Sequence, residues 1–144
     1  MSAAIDVNVL LYASDTASPF HQRAADFLSE LAKGPDILYL AWSTVMGYLR
    51  ISTHPAIFAS PLGPDEAARN VDALLHLPHV RMLAEEEGFW ELYRDVTRTV
   101  PARGNDVPDA HLATLLRQHG VATLFTNDRD FRKFDFLNVR DPFE

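Results

Sequence analysis

Three aspartates lie where the sequence otherwise predicts buried apolar structure. Asp6 interrupts the apolar run of residues 3–11, which is typical of a fully buried parallel strand. Asp109 lies at the start of a strongly apolar helix, and Asp128 closely follows the strand candidate Thr123–Phe125. A buried, unpaired carboxylate is costly unless it is neutralised, paired or bound to a metal. These aspartates are therefore the first candidates for chemistry.

Each carboxylate taken alone also has an ordinary structural interpretation. Asp6 would hydrogen-bond a neighbouring backbone turn, and Asp106 would cap the helix that contains Asp109. Asp128 and Asp130 belong to a turn, where aspartate is common. Together, however, they come from two strand ends and one helix start, where α/β folds gather their ligands. Like charges converging there would repel, and a hard divalent cation such as Mg²⁺ or Mn²⁺ resolves that repulsion.

Carboxylate-bound Mg²⁺ with open coordination positions suits phosphodiester hydrolysis. The metal positions the phosphate, activates a water and offsets the charge that develops on the phosphoryl oxygens. Histidine is not needed as a base, and the six histidines show no metal-ligand spacing such as His-Glu-x-x-His. His111 lies beside Asp109 and is the one histidine that we consider as a candidate for catalysis, although a structural role is the simpler interpretation.

Alternating apolar periodicities predict the elements that position these residues. The predicted strands are residues 3–11, 37–41, 80–83, 123–125 and 138–139. The predicted helices are residues 20–31, 44–51, 65–77, 88–100 and 108–119. Strands that alternate with helices indicate an α/β layered domain with a mostly parallel sheet.

Composition narrows the class of protein further. The 144 residues, 47% of them hydrophobic, fit a single domain spanning residues 1–144. The absence of cysteine excludes disulfides and thiolate chemistry. We find no signal peptide and no apolar run of about 20 residues, so we expect a soluble, cytoplasmic protein. The net charge of −7 argues against a nucleic-acid coat protein but not against a metal-dependent nuclease.

Four sequence blocks resemble the PIN-domain toxins of the VapC family, the toxin half of VapBC toxin–antitoxin pairs. Residues 4–11 resemble the family's opening strand with its acidic residue and following Asn. Residues 103–113 resemble its Asp-Ala helix start, and residues 126–134 its C-terminal acidic turn. Residues 47–55 resemble a helix-to-loop stretch of one VapC subgroup. The blocks occur in the expected order from near residue 3 to Pro142, which makes the combination far more specific than any one block.

This resemblance implies a PIN-like α/β/α sandwich and Mg²⁺-dependent endoribonuclease activity on structured RNA, with Mn²⁺ as a substitute ion. It implies metal contacts at Asp6 and Asp109, supported by Asp128 and by Asp130. It also implies a homodimer and a VapB-like antitoxin partner. One feature departs from the family, because the usual acidic residue after the second strand is missing from residues 43–48. Asp106, or a water held by Ser43 or Thr44, would have to compensate.

Other readings of the sequence are weaker. A phosphatase with Asp6 as nucleophile would need a second Asp where Asn8 stands, and dinucleotide binding would need a Gly-rich turn. The main alternative is a catalytically weak PIN domain that acts as a binding or regulatory module. Basic residues near the acidic motifs would contact RNA phosphates; the candidates are Arg50, Arg103 and Arg129, with Arg132 and Lys133 beside them.

Overall fold

Short apolar segments form a parallel sheet at the centre of the molecule. The structure is a computed structural model that describes residues 2–144. Within those residues the strands are β1 (Ala3–Ile5), β2 (Leu38–Ala41), β3 (Val80–Leu83), β4 (Thr123–Phe125) and β5 (Asn138–Arg140). They form a five-stranded sheet in the order β3-β2-β1-β4-β5, and each neighbouring pair of these strands is parallel. The mostly parallel sheet expected from the sequence is confirmed.

Helices cover both faces of this sheet. In the described residues they are α1 (Val7–Ser14), α2 (His21–Ala32), α3 (Trp42–Ser52), α4 (Pro64–Leu75), α5 (Phe89–Thr99) and α6 (Asp106–Gln118), with a 3₁₀-helix at Arg129–Lys133. Alternate strand residues face opposite layers: Ile5 and Leu40 pack with α3 and α4, whereas Ala4 and Ala41 pack with α5 and α6. This is the α/β/α sandwich predicted from the sequence. No helix of residues 2–144 is long and apolar enough to cross a bilayer.

The strand order reverses between β1 and β4. From β1 the chain adds β2 and β3 on one side, and later returns to place β4 and β5 on the other. Neighbouring loops diverge at such a switch point, and they leave a crevice beyond the carboxyl ends of the strands. The residues that follow β1 and β4, starting at Asp6 and Thr126, lie at this crevice.

The predicted strand over residues 3–11 is wrong in its second half. The strand ends at Ile5, and a helix begins at Val7. Asp6 has an extended backbone and its side chain accepts a hydrogen bond from the Val7 N–H, so it is the N-cap of α1. A short, continuous apolar run does not distinguish a buried strand from a buried helix, whereas an aspartate within it marks a helix start.

The predicted capping role of Asp106 is also wrong. Asn105 occupies the N-cap position of α6 without a side-chain hydrogen bond, and Asp106 is the first helical residue. The predicted start at Pro108 is two residues late, because proline is tolerated in a first turn whose N–H groups have no intrahelical partner. With this earlier start, Asp106 and Asp109 both lie in the first turn of α6.

Candidate active site

The Asp6 carboxylate is fixed by hydrogen bonds from both sides of the β1–β4 crevice. One oxygen accepts the Val7 N–H at 2.7 Å, and the other accepts the Thr126 hydroxyl at 2.9 Å. The Asp6 backbone N–H donates to the Phe125 carbonyl at 3.0 Å. Burial raises the pKa of Asp6, although these two hydrogen bonds act in the opposite direction and the Asp128 charge adds to the rise. The orientation of Asp6 is therefore set before any ligand arrives.

Thr126 is the candidate site residue that sequence reasoning missed. Its buried hydroxyl donates to Asp6 and accepts from the Asn8 side-chain amide and from the Asp128 N–H, both at 3.0 Å. It therefore links the residues after β1 to the residues after β4. The available signal was a hydroxyl residue directly after an apolar strand, beside the switch point.

Asp109 is held in a different way from Asp6. It lies in the first turn of α6, where the helix dipole favours negative charge. Its carboxylate forms no hydrogen bond within the described part of the chain. Its pKa is raised to about 6, chiefly by burial and also by the charges of Asp128, Asp6 and Asp130, against an opposing effect of Lys133. Asp109 therefore faces the other carboxylates without a donor to stabilise its charge.

Asp128 and Asp130 occupy the turn that follows β4. Asp128 caps the 3₁₀-helix, and one of its oxygens accepts the Asp130 N–H at 2.9 Å. The Asp128 charge acts on both Asp6 and Asp109, whereas the Asp130 charge acts on Asp109 as the weakest of the causes of its shift. Asp130 is exposed. The structure thus brings Asp6, Asp109 and Asp128 together and leaves Asp130 at their margin.

The donor set fits a hard divalent ion that keeps much of its water. Across residues 2–144, no group of three or more His, Asp or Glu side chains is arranged so that it could hold a metal ion. Mg²⁺ commonly binds through one or two carboxylates plus waters, so a complete cage is not required. Asp6 is pre-oriented, Asp109 has free oxygens, and their charges repel; a divalent cation relieves this repulsion. Asp6 and Asp109 would hold the ion, with Asp128 beside them.

The region that lacks an acidic residue forms the start of α3. Trp42 is the first residue of this helix, directly after β2, and Ser43 is exposed while Thr44 is buried. Both hydroxyls therefore belong to the first turn at the carboxyl edge of the sheet. Asp106, the other residue expected to compensate, pairs instead with Lys133 at 3.2 Å.

The three arginines predicted to contact RNA are not gathered around the carboxylates. Arg50 is exposed in the last turn of α3, about 12 Å along the helix from its first residue. Arg103 is exposed in the segment before α6, and Arg129 pairs with Glu144 at 3.2 Å. None of these arginines is among the groups that shift the pKa of Asp6 or Asp109. Lys133 is the cation that does.

His111 is engaged away from the carboxylates. Its ring nitrogen pairs with Glu85, and its ring lies 5.5 Å from that of Phe89. The hydrogen bond from His111 is the main reason why the pKa of Glu85 is lowered. Through these contacts His111 joins α6 to α5 and to the segment before α5, in keeping with the structural role expected from the sequence.

A separate apolar groove lies among the helices of the other layer. Its volume is about 590 Å³, and α1, α2, α3 and α4 all contribute to its lining. Most of the lining is apolar, including Leu10, Leu28, Val45, Val71 and Leu74. Polar contacts accompany it, since the Tyr48 hydroxyl bonds Ser14 at 2.7 Å and accepts from Asn70 at 2.9 Å.

Comparisons with known proteins agree with this fold. The PIN domain family model matches residues 3–137. Ribonuclease VapC48 of Mycobacterium tuberculosis is 48% identical over 143 residues, covering 99% of both chains. The chain therefore belongs to the PIN-domain family and, within it, to the VapC ribonucleases.

Solved structures support the same fold at low sequence identity. VapC20 of Mycobacterium tuberculosis, described as a toxin that cleaves the sarcin–ricin loop, aligns with a TM-score of 0.69 at 16% identity. That alignment covers 96% of this chain and 99% of VapC20. VapBC2 of Rickettsia felis, solved with a DNA fragment from its promoter, aligns with a TM-score of 0.68 at 15% identity, covering 98% of both chains.

Proposed function

We propose that this chain is a Mg²⁺-dependent endoribonuclease that cleaves structured RNA, and that it is the toxin of a VapBC-type pair. The observation that carries the proposal is the convergence of Asp6, Asp109 and Asp128 at the β1–β4 switch point. Membership of the VapC ribonuclease family supports RNA as the substrate. Carboxylates that repel one another in a crevice would be stabilised by a divalent ion bound between them.

The roles of the protein groups follow from their contacts. When bound, the ion would position the phosphate, activate water and offset developing negative charge. Asp6 would hold the ion in a direction set by Val7 and Thr126, and Asp109 would hold it from the start of α6. Asp128 would add further negative charge beside them, as its effect on the pKa of both Asp6 and Asp109 indicates.

Structured RNA is the expected substrate class. Single-stranded loops present splayed bases and phosphates that a protein can recognise by shape. The relative VapC20 is described as cleaving such a loop. A net charge of −7 is unsuited to general binding of nucleic acid, so recognition must depend on a local site that a cation makes attractive.

Cleavage of an RNA panel tests this function. Purified protein would be incubated with transfer RNAs, ribosomal stem–loops and unstructured oligonucleotides, in Mg²⁺, in Mn²⁺ and in EDTA. We expect cleavage at defined loop positions in both ions and none in EDTA. Calorimetry would measure Mg²⁺ binding in the wild type and in Asp6→Asn and Asp109→Asn. Unchanged metal affinity in both variants would contradict the proposed metal site.

The pH dependence of cleavage tests the absence of a histidine base. Because His111 is engaged with Glu85 and Phe89, we expect cleavage to rise with pH above neutrality. His111→Ala should leave the shape of that profile unchanged. A bell-shaped profile centred near pH 6.5 and lost in His111→Ala would indicate histidine catalysis instead.

The second candidate is a catalytically weak PIN domain that acts as a binding module. It is favoured by the start of α3, where Ser43 and Thr44 stand without an acidic neighbour in residues 43–48. This candidate predicts RNA binding without products at any pH or metal concentration. Restoration of cleavage by Ser43→Glu or Thr44→Glu in an otherwise inactive protein would identify the missing ligand as the cause.

A VapB-like antitoxin is the expected partner, as the VapBC complexes among the structural relatives suggest. The apolar groove among α1–α4 suits the apolar face of an amphipathic helix, and the acidic crevice suits an Arg-containing tail. Ala73→Arg, in the groove lining, should weaken the complex at least tenfold. Ala68→Arg, exposed on the same helix outside the lining, is the matched control.

The antitoxin tail has its own test. Charge reversal of its Arg should restore RNA cleavage while helix-driven binding persists, because the carboxylates would repel the reversed charge. If the reversed antitoxin still inhibits fully, inhibition does not depend on occupation of the crevice.

Homodimerisation stays a prediction. Exposed Trp42 and Met46 lie one turn apart on α3 and provide apolar surface for a second copy. Sedimentation of the wild type should give a dimer, and Met46→Asp should shift it to monomer. A wild type that sediments as a monomer at tens of micromolar would contradict this prediction.

A further inference from the structure

Lys133 is a basic residue that lies against the start of α6, next to the carboxylates of the site. Its ammonium pairs with Asp106 at 3.2 Å, in the same first turn of α6 that carries Asp109. It ends the 3₁₀-helix that Asp128 caps, so its position is tied to the turn after β4. The proposed function leaves this residue without a role.

The Lys133 ammonium is held in place but keeps free N–H donors. It donates to the Asp106 carboxylate at 3.2 Å and lies 5.6 Å from the centre of the buried Phe134 ring. Its side chain is 30% exposed. An ammonium has three donors, and Asp106 accepts one of them. The others are available to a ligand that approaches the crevice from solvent.

Charge balance explains why a phosphate would need this lysine. One divalent ion does not neutralise Asp6, Asp109 and Asp128 together, so the loaded site would still repel a phosphodiester. Arg50 and Arg129 do not correct this, because Arg50 lies at the far end of α3 and Arg129 pairs with Glu144. Lys133, in contrast, pairs within the first turn of α6 that carries Asp109. Lys133 supplies the missing positive charge beside Asp109.

We propose that Lys133 binds an RNA phosphate beside the scissile position, with Asp106 and Phe134 holding its ammonium at the edge of the crevice. This inference rests on the proposed ribonuclease function and adds a substrate-binding residue to it. Asp106 then acts as a positioning residue for Lys133. It is not a replacement for the missing acidic ligand, since its carboxylate is already committed to the ammonium.

RNA binding with a salt titration tests this role directly. The probe is a fluorescein-labelled stem–loop RNA with a 2′-O-methyl loop, bound at fixed Mg²⁺ and increasing KCl. Lys133→Gln should raise Kd about 5- to 10-fold and lower the slope of log Kd against log salt by about 0.7 to 0.9, the loss of one phosphate contact. Lys133→Arg should restore both. With a cleavable RNA, Lys133→Gln should raise KM while kcat changes less than about twofold.

Two variants separate phosphate binding from a structural clamp. Asp106→Asn loosens the positioning of Lys133 but keeps its ammonium, so Kd should rise no more than about twofold, clearly less than in Lys133→Gln, and the salt slope should stay as in the wild type. Lys33→Gln, which breaks an exposed pair with Glu30 on α2, should behave as the wild type.

If Asp106→Asn weakens binding as much as Lys133→Gln, Lys133 is a structural clamp and the proposal is wrong. If Lys133→Gln leaves Kd and the salt slope unchanged while the wild type cleaves RNA, this proposal alone fails. A wild type that neither binds nor cleaves RNA overturns the proposed function and this inference with it.

Discussion

Asp6 and Asp109 show two ways of placing a carboxylate in one crevice. Burial raises the pKa of both, but Asp6 accepts hydrogen bonds from Val7 and Thr126, whereas Asp109 accepts none in the described residues. Asp6 is thus stabilised and oriented by its surroundings. Asp109 is instead opposed by them, and the energetic penalty it imposes is relieved when a cation binds. The contrast teaches that one half of the site is fixed by folding and the other half is left for its ligand to stabilise.

The largest expected effect is on RNA cleavage, and it should be the same for both carboxylates. Asp6→Asn and Asp109→Asn should each lower RNA cleavage at least about 100-fold, a loss near 2.7 kcal/mol of transition-state stabilisation, because both carboxylates would hold the ion. Rates on one loop substrate in Mg²⁺ measure the effect. Asp72→Asn, an exposed aspartate on α4, is the control and should cleave normally. Cleavage retained in either site variant would remove that residue from the proposed metal site.

The hydrogen-bonded half of the site predicts a large effect on stability. Thr126→Val should lower the free energy of unfolding by about 2–3 kcal/mol, because the Asn8 amide and the Asp128 N–H would lose their acceptor and Asp6 its donor. Thr114→Val is the matched control. Its hydroxyl is equally buried but makes one hydrogen bond, to the Ala110 carbonyl, so about 1 kcal/mol or less is expected. Urea denaturation of both variants measures the difference, and equal losses would contradict the role of Thr126 as a hub.

The aspartates of the site and Thr126 also show which site residues could be predicted from the sequence and which could not. Asp6, Asp109 and Asp128 were predicted because a carboxylate in an apolar context is conspicuous, and the structure brings the three together. Thr126 was missed because a threonine after a strand is ordinary, and its value depends on a partner 120 residues away. The sheet was predicted because buried parallel strands are apolar throughout. The boundary at Ile5 was not, because the same apolar run also suits the helix that follows.

The ligand-dependent half of the site predicts a smaller, opposite effect. In EDTA, Asp109→Asn should stabilise the protein by about 1 kcal/mol at pH 7, after allowance for solvent screening of a partly exposed group. Asp6→Asn should give no such gain, because an amide nitrogen would replace one of the oxygens that Val7 and Thr126 need. Urea denaturation in EDTA measures both. Equal stabilisation of both variants would erase the contrast between the two carboxylates.

The pH dependence of this effect has a definite sign. The pKa of Asp109 is about 6 in the folded chain against 3.8 as its ordinary value, so the folded state binds more protons between these values. Its contribution to stability therefore falls as pH rises from about 4 and is fully lost above about 6. The difference between the wild type and Asp109→Asn should grow across that window in EDTA and shrink when Mg²⁺ is added.

The smallest expected effect concerns the margin of the site. Asp130 is exposed and is the weakest of the causes that raise the pKa of Asp109, so Asp130→Asn should lower cleavage less than about threefold, under about 0.7 kcal/mol. Asp135→Asn, an exposed aspartate just beyond the 3₁₀-helix, is the control and should have no effect. Cleavage rates at saturating Mg²⁺ measure both variants. A loss for Asp130→Asn as large as that for Asp109→Asn would move Asp130 from the margin into direct metal binding, and the site would then span both carboxylates of the turn after β4.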